Sequence, residues 1–158
     1  MKIGSFFKAL IPVYGRMERF RLYLRLREFF RKKKMYFFGK CLKLHLLSKY
    51  GCELGITASI SPKVQFMHTV GVVIGDGCVL EEGVKIYSNV VLGRKNIQRE
   101  DDYPIIRKGV TLCTGATVLG KITVGENTII GAKTLVLFNV DANSIYAGSP
   151  AKKIKEVE

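Results

Sequence analysis

The chain has 158 residues, of which 47% are hydrophobic, so it is long enough for one domain with a buried core and an appendage. Its formal net charge of +13 is concentrated near the start: residues 1–50 contain 14 Lys and Arg against 2 Asp and Glu, and residues 51–158 contain 12 against 11. Four cysteines without C-x-x-C spacing indicate neither a disulfide framework nor a zinc site. No uncharged apolar run approaches the roughly 20 residues of a membrane span, and no secretory cleavage site is recognisable, so we expect a cytoplasmic protein.

Two helices are predicted in the basic first third of the chain. The helical spacing of Leu22, Leu26 and Phe29 predicts a helix over residues 16–34. A second helix is predicted over residues 36–50.

The same third, residues 1–50, contains 11 of the 16 aromatic residues. Cationic helices rich in aromatic residues are typical of segments that lie on anionic membrane surfaces. This segment therefore either holds the protein at the inner leaflet or packs its aromatic faces on the rest of the molecule, with its charges solvated. No recognised module predicts binding to nucleic acid.

Aliphatic residues recur every six positions in the rest of the chain. A fixed short period predicts a small unit that is stacked on copies of itself, and six residues is the period of a parallel β-helix in which each hexad forms one side of a triangular coil. The repeats predict a β-helix over residues 51–142, followed by a C-terminal tail over 143–158. The repeating positions are Ile74, Leu80, Ile86, Leu92, Ile106, Leu112, Val118, Val124, Ile130 and Val136.

The repeat is interrupted once, between Leu92 and Ile106. The intervening residues predict a polar, charged loop of about 94–105 that leaves the β-helix. Long excursions from a rigid scaffold often contain binding residues, although a tolerated surface insertion is the alternative.

His68 stands out because the six-residue spacing counted back from Ile74 falls on it. An imidazole where an aliphatic residue is expected breaks the local rule, and such positions are often functional. A hydrogen-bonded histidine in an irregular first coil is the alternative. The other histidine, His45, is expected to be structural or at the surface.

Three motifs resemble those of the hexapeptide acyltransferases, nearest to the serine acetyltransferase type. Residues 68–75, HTVGVVIG, resemble the catalytic-histidine motif of that family. Leu92-Gly93 with a loop ending in Tyr103-Pro104 resembles its active-site loop, and residues 148–154, GSPAKKI, resemble its C-terminal signature. The resemblance implies a mainly β fold: a left-handed parallel β-helix with an N-terminal α-helical segment.

The resemblance also implies a catalytic pair. His68 matches the general base, and Glu53 falls on the family's aspartate that partners this base. A neutral histidine with a pKa near 6.5 can accept a hydroxyl proton, and a carboxylate partner would fix its tautomer. A surface carboxylate is the alternative interpretation of Glu53.

Three substrate positions depart from the family pattern. Met67 replaces an aspartate, and Asp102 and Tyr103 replace an arginine and a histidine that hold serine in the family. Because Asp102 would repel a carboxylate, we expect serine recognition to be lost. The layout of a short helical segment and a β-helix is similar to that of capsule and colanic acid acetyltransferases, and Tyr103 is a candidate for stacking on a sugar ring.

Family resemblance further implies that acetyl-CoA binds in the groove between subunits of a homotrimer, without a metal. The zinc-dependent chemistry known on this fold needs three histidines, and only His68 lies among the coils. Lysines are suitable phosphate partners, although solvated surface lysines are the default. The implied acetyl-CoA contacts are Gly93, Thr114, Ala132, Lys133, Lys152 and Lys153.

The sequence thus favours an acetyl-CoA-dependent O-acetyltransferase with His68 as general base. The expected acceptor is a sugar hydroxyl of a cell-surface polysaccharide precursor. Two alternatives stay open: a serine O-acetyltransferase of cysteine biosynthesis and a non-catalytic trimeric scaffold.

Overall fold

The computed structural model describes residues 15–157, in which two helices precede a triangular coil of short parallel strands. Helix α1 spans Arg16–Lys32 and helix α2 spans Tyr36–Tyr50, and Gly51 ends α2 in a left-handed conformation with φ of 64°. The strands are β1 Glu53–Leu54, β2 Ser59–Ile60, β3 Gln65–Phe66, β4 Val73–Ile74, β5 Val79–Leu80, β6 Lys85–Ile86, β7 Val91–Gly93, β8 Ile105–Ile106, β9 Thr111–Leu112, β10 Thr117–Leu119, β11 Thr123–Val124, β12 Ile129–Ile130, β13 Leu135–Val136, β14 Ser144–Ala147 and β15 Lys152–Glu156.

From β1 to β13, every third strand along the chain joins the same sheet, so the coil has three faces. The first face contains β1, β4, β7, β10 and β13, and the second contains β2, β5, β8 and β11. The third face contains β3, β6, β9, β12 and β14, and β15 adds to its edge as an antiparallel strand. The predicted mainly β fold, a left-handed parallel β-helix preceded by helices, is confirmed.

The six-residue period corresponds to the inner wall of this coil. Each of the ten repeating positions from Ile74 to Val136 is at most 2% exposed. Their partners are in register one coil above and below, as Ile74 is with Leu92 and Ile86 with Leu112. Burial of stacked aliphatic side chains on all three inner sides is therefore the main source of stability.

One part of the repeat prediction is wrong: His68 does not occupy an inward position. The inward residue of β3 is Phe66, which is 6% exposed and pairs with Ile86. The spacing from Phe66 to Ile74 is eight residues, whereas Ile86 to Leu92 is six. The corner between β3 and β4 therefore contains two additional residues, and His68 lies in this lengthened corner with its side chain exposed.

Helix α1 is fixed to the first coil by an aromatic cluster. The ring centroid of Phe20 lies 4.9 Å from that of Tyr50 and 5.0 Å from that of Phe66. These contacts join both helices to the β-helix core. The interpretation that aromatic faces pack on the rest of the molecule therefore applies to this inner side.

Buried polar groups add a second attachment of α1. Arg27 donates to the carbonyls of Gly55 and Ala58, the latter at 2.7 Å. Its Nη1 lies 2.7 Å from Glu28 Oε1, which also accepts from the Ile60 amide at 3.2 Å. The ion pair thus supplies partners for backbone groups at the open end of the coil.

The outer side of α2 remains uncovered within the described chain. Its exposed large apolar side chains include Phe37 at 72%, Leu44 at 66% and Leu47 at 45%. Among residues 15–157, no helix is long and apolar enough to cross a bilayer.

Candidate active site

His68 lies where the third face turns into the first, at a corner that we call the His68 corner (residues 67–72 and the turns stacked on them, 87–90, 113–116 and 131–134). Its imidazole is exposed, and its centroid lies 6.1 Å from that of Tyr87. The backbone on either side is held by ladder bonds, from the Met67 amide to the Ile86 carbonyl and from the Gly71 amide to the Gly51 carbonyl, both at 2.8 Å. The corner therefore presents a solvent-accessible imidazole on a fixed backbone.

Three of the predicted acetyl-CoA positions stack at the same corner. Thr114, Ala132 and Lys133 are all exposed. The Lys133 amide donates to the Thr114 carbonyl at 2.9 Å, and Lys133 adopts the left-handed conformation with φ of 54°. His68 thus stands at one end of an open shelf of small side chains and exposed backbone.

Glu53, the predicted partner of the base, has a different neighbour in the single chain. Its Oε1 lies 2.7 Å from Lys43 Nζ of helix α2. Within residues 15–157, no hydrogen bond joins Glu53 to His68. The structure therefore does not bring this pair together, and the orienting role of Glu53 stays a prediction. Met67, the residue before the base, is 46% exposed beside it.

The extruded loop leaves the coil at the opposite end of the first face, where that face turns into the second. We call this the loop corner, formed by residues 93–104 and the turns 75–78 and 120–122. Gly93 ends β7, and its carbonyl accepts from the Gly120 amide at 3.0 Å. The root of the loop is therefore part of the β-ladder.

Asp102 is buried at this corner and accepts three backbone hydrogen bonds. Its Oδ2 accepts from the amides of Asn96 at 2.6 Å and Lys95 at 2.9 Å, and its Oδ1 accepts from the Lys121 amide at 2.8 Å. These bonds, led by that from Asn96, hold the pKa of Asp102 below its ordinary value against a smaller opposing effect of burial. The carboxylate closes the loop, and its charge is directed into the loop backbone.

Tyr103 lies flat on the coil below. A Cβ atom added at Gly75 or Gly77 would overlap its ring, so these glycines make room for it. The Arg94 guanidinium carbon lies over this ring, 5.5 Å from its centroid. The loop thus presents a phenol and a guanidinium within the range of a cation–π interaction.

The two corners are separate in one chain. Strand β7 and the turn before it connect them along the first face. The structure groups His68 with Thr114, Ala132 and Lys133, and it groups Gly93, Asp102 and Tyr103 elsewhere.

The remaining predicted phosphate partners lie on β15, at the edge of the third face. Lys152 is exposed. Lys153 Nζ lies 2.6 Å from Glu156 Oε1 and 3.5 Å from Asp141 Oδ2. Lys152 is therefore the less engaged of the two lysines.

Sequence reasoning missed two residues, Tyr87 beside His68 and Arg94 on Tyr103. The six-residue period could have indicated Tyr87. Ile86 is in register with Phe66, so Tyr87 stacks on Met67, the residue before His68. Arg94 gave no signal, since its position follows from the path of the loop. No group of three or more His, Cys, Asp or Glu side chains suited to a metal ion occurs in residues 15–157.

Comparisons with known proteins find similarity to serine acetyltransferases. A scan against models of protein families finds no match. The chain is 42% identical over 108 residues to a putative serine acetyltransferase of Schizosaccharomyces pombe, an alignment that covers 68% of this chain and 40% of that protein. It spans about half the length of the curated relatives it matches.

Solved structures agree with the sequence comparison. The serine acetyltransferase of Brucella abortus strain S19 superposes with a TM-score of 0.84 at 28% identity, covering 98% of this chain and 68% of that one. Its complex with coenzyme A gives 0.83 at 28% identity, with coverages of 98% and 67%. In fold and in sequence, the chain is therefore similar to serine acetyltransferases of the hexapeptide-repeat type.

These comparisons correct the expected acceptor. The relatives are named for serine, so the interpretation of a polysaccharide acetyltransferase acting on a sugar hydroxyl is wrong, and the similarity to capsule and colanic acid enzymes is unsupported. The physical argument against serine fails as well. Asp102 is directed into three backbone amides, which stabilise its carboxylate within the loop instead of leaving it facing an acceptor.

Proposed function

We propose that this protein transfers the acetyl group of acetyl-CoA to the hydroxyl of L-serine. The observation that carries the proposal is the exposed imidazole of His68 on the fixed, lengthened corner, next to the shelf formed by Thr114 and Ala132. The names of the relatives support the same acceptor and donor.

His68 is the general base of this reaction. One ring nitrogen accepts the proton of the serine hydroxyl while the hydroxyl oxygen attacks the thioester carbonyl carbon. The C–O bond forms and the C–S bond then breaks. The CoA thiolate takes the proton back from the imidazolium, so the products are O-acetylserine and CoA with a neutral histidine.

The residues of the His68 corner fit an extended pantetheine arm. Thr114 and Ala132 are exposed and have small side chains, which leaves room for the arm along the turns. Lys133 and Lys152 are exposed cations suited to phosphates. Gly93 would contact the arm from the loop corner.

We propose a homotrimer as the working form. The base and the loop lie at opposite ends of the first face, so one chain does not combine them in one site. A second copy that places its loop corner beside the His68 corner would do so. The outward residues of the first face include Val73, Val91 and Leu135, which suits a contact between copies.

A thiol-release assay tests the function. With acetyl-CoA and L-serine, wild-type protein should release CoA thiol and form O-acetylserine in equal amounts. Matched reactions contain D-serine, L-threonine and glucose. Transfer to glucose but not to L-serine, or no transfer at all, would contradict the proposal.

We propose further that residues 1–50 bring the enzyme to anionic membrane surfaces. Helix α2 exposes Phe37, Leu44 and Leu47, contains no acidic residue, and carries Lys40 and Lys49. Sedimentation with vesicles of phosphatidylglycerol should be lost at high salt and reduced in the F37S/L44S variant, and vesicles of phosphatidylcholine are the control. Equal binding to both vesicle types, or to neither, would reject this role.

A further inference from the structure

The extruded loop contains a cation without an acidic partner among the described residues. Arg94 is the first residue after β7, and its Nη1 donates to the Ile97 carbonyl at 3.2 Å. Within residues 15–157, Arg94 forms no ion pair. An arginine that lies against an aromatic ring, with its remaining N–H groups free for an anion, is the residue type that binds carboxylates in a bidentate manner.

Arg94 is also the best-positioned cation of this loop. Its backbone continues directly from Gly93, which is in register with Leu119 on β10. Its guanidinium lies over Tyr103, whose ring is itself held on the coil by the space at Gly75 and Gly77. A guanidinium held by a cation–π interaction and a hydrogen bond to the Ile97 carbonyl loses less conformational freedom when it binds a ligand.

The other charged groups of the loop corner have different surroundings. Lys121 is paired with Asp101. The Asp102 carboxylate is hydrogen-bonded to three backbone amides, two at Oδ2 and one at Oδ1. Lys95 and Arg99 are exposed on the outer part of the loop. Arg94 is therefore the cation that combines partial burial with a fixed direction.

We infer that Arg94 is a specificity-determining residue that binds the carboxylate of the amino-acid acceptor. The inference rests on the proposed function, since serine supplies the carboxylate. Tyr103 positions the guanidinium, and Asp102 keeps the loop closed around it. The hydroxyl of the acceptor would then be directed towards a base contributed from a His68 corner.

The test compares two acceptors that differ only in this charge. L-serine and L-serinamide share the hydroxyl and the amine, and serinamide lacks the carboxylate. Wild type should prefer L-serine in kcat/KM. Arg94→Gln should lower kcat/KM for L-serine by about 10- to 100-fold and leave that for serinamide nearly unchanged, because only the charged hydrogen bonds are lost. Arg94→Lys should retain part of the preference.

The matched control is Arg99→Gln, which removes an exposed guanidinium from the same loop. The preference of Arg99→Gln for L-serine should equal that of wild type. The KM for acetyl-CoA should be unchanged in all variants. Unchanged midpoints of thermal unfolding show that the variants fold. If wild type prefers L-serine and the Arg94→Gln variant keeps that preference, the role of Arg94 is overturned and the proposed function stands. Wild type without transfer to L-serine overturns the proposed function and this inference together. Loss of the preference in Arg99→Gln but not in Arg94→Gln assigns the carboxylate site to Arg99.

Discussion

Phe66 and Ile86 face each other in register on neighbouring strands of the third face, and His68 follows Phe66 by two residues. The buried ring holds the strand while the longer corner directs the imidazole outwards. His68 is therefore separated from the core that stabilises the fold. A change of its side chain should affect chemistry and leave stability almost unchanged.

The first prediction concerns His68→Ala. Loss of a general base should reduce kcat by about 10²- to 10⁴-fold. The free energy of unfolding should change by no more than about 0.5 kcal/mol, because the side chain is exposed. Steady-state kinetics and urea unfolding measure the two quantities. The control is His45→Gln, which should keep kcat near the wild-type value, and an active His68→Ala enzyme would refute the assignment.

Gly77→Ala tests the placement of Tyr103. The three atoms nearest to the added methyl group all belong to the Tyr103 ring, so the ring should be displaced from the coil. We expect KM for L-serine to rise several-fold while KM for acetyl-CoA stays constant. In the Tyr103→Ala background, Gly77→Ala should have little further effect, because the clash is gone. Additive effects of the two substitutions would show that Tyr103 does not lie on Gly77.

Asp102 should control the closure of the loop in a pH-dependent way. Its folded pKa is below the unfolded value of 3.8, so its contribution is present above pH 3.8 and is lost as the pH falls through the lowered folded pKa. The protection factors of the Lys95, Asn96 and Lys121 amides against hydrogen exchange should therefore stay high from pH 5 to 8. Asp102→Asn should lower these protection factors throughout this range.

Asp101→Asn is the control for this experiment. Asp101 is an exposed neighbour whose carboxylate pairs with the Lys121 side chain, and such surface pairs contribute little. Exchange at the three amides should equal that of wild type. Fast exchange in wild type at pH 7 would show that Asp102 does not hold the loop.

Arg27→Met tests the attachment of α1 to the first coil. The substitution leaves the Gly55 and Ala58 carbonyls without their donor and removes one partner of the buried Glu28 carboxylate. We expect the free energy of unfolding to fall by about 3–5 kcal/mol. Arg25→Met, at an exposed position of the same helix, should change it by less than about 0.5 kcal/mol. Equal effects of the two substitutions, measured by urea unfolding, would contradict a buried anchoring role.

The sequence predicted the inner wall of the coil accurately, because each hexad places one aliphatic residue inwards and every such position from Ile74 to Val136 is buried. It was misleading at His68 for a simple reason. The inward residue before Ile74 is Phe66, eight positions earlier instead of six, so a regular count of six falls on His68 in the corner between them.

The side-chain contacts of the loop do not follow from the sequence pattern. The interruption after Leu92 predicted where the loop begins, but a residue type does not reveal where a carboxylate points. The sequence predicts a charge at Asp102 that faces the acceptor. In the folded chain, three backbone amides, two from the loop and one from the turn at Lys121, donate to this carboxylate. Arg94 is found only when the folded loop places it over Tyr103.

The separation of the two corners along the first face has a genetic consequence. If every site of a trimer takes its base from one chain and its loop from the next, two inactive proteins can repair each other. Mixed trimers of His68→Ala chains and Arg94→Gln/Tyr103→Ala chains should regain roughly a quarter of the wild-type sites, because a site is intact whenever a good base meets a good loop. Inactive alleles of this gene should therefore fall into two complementing groups, one for the His68 corner and one for the loop corner.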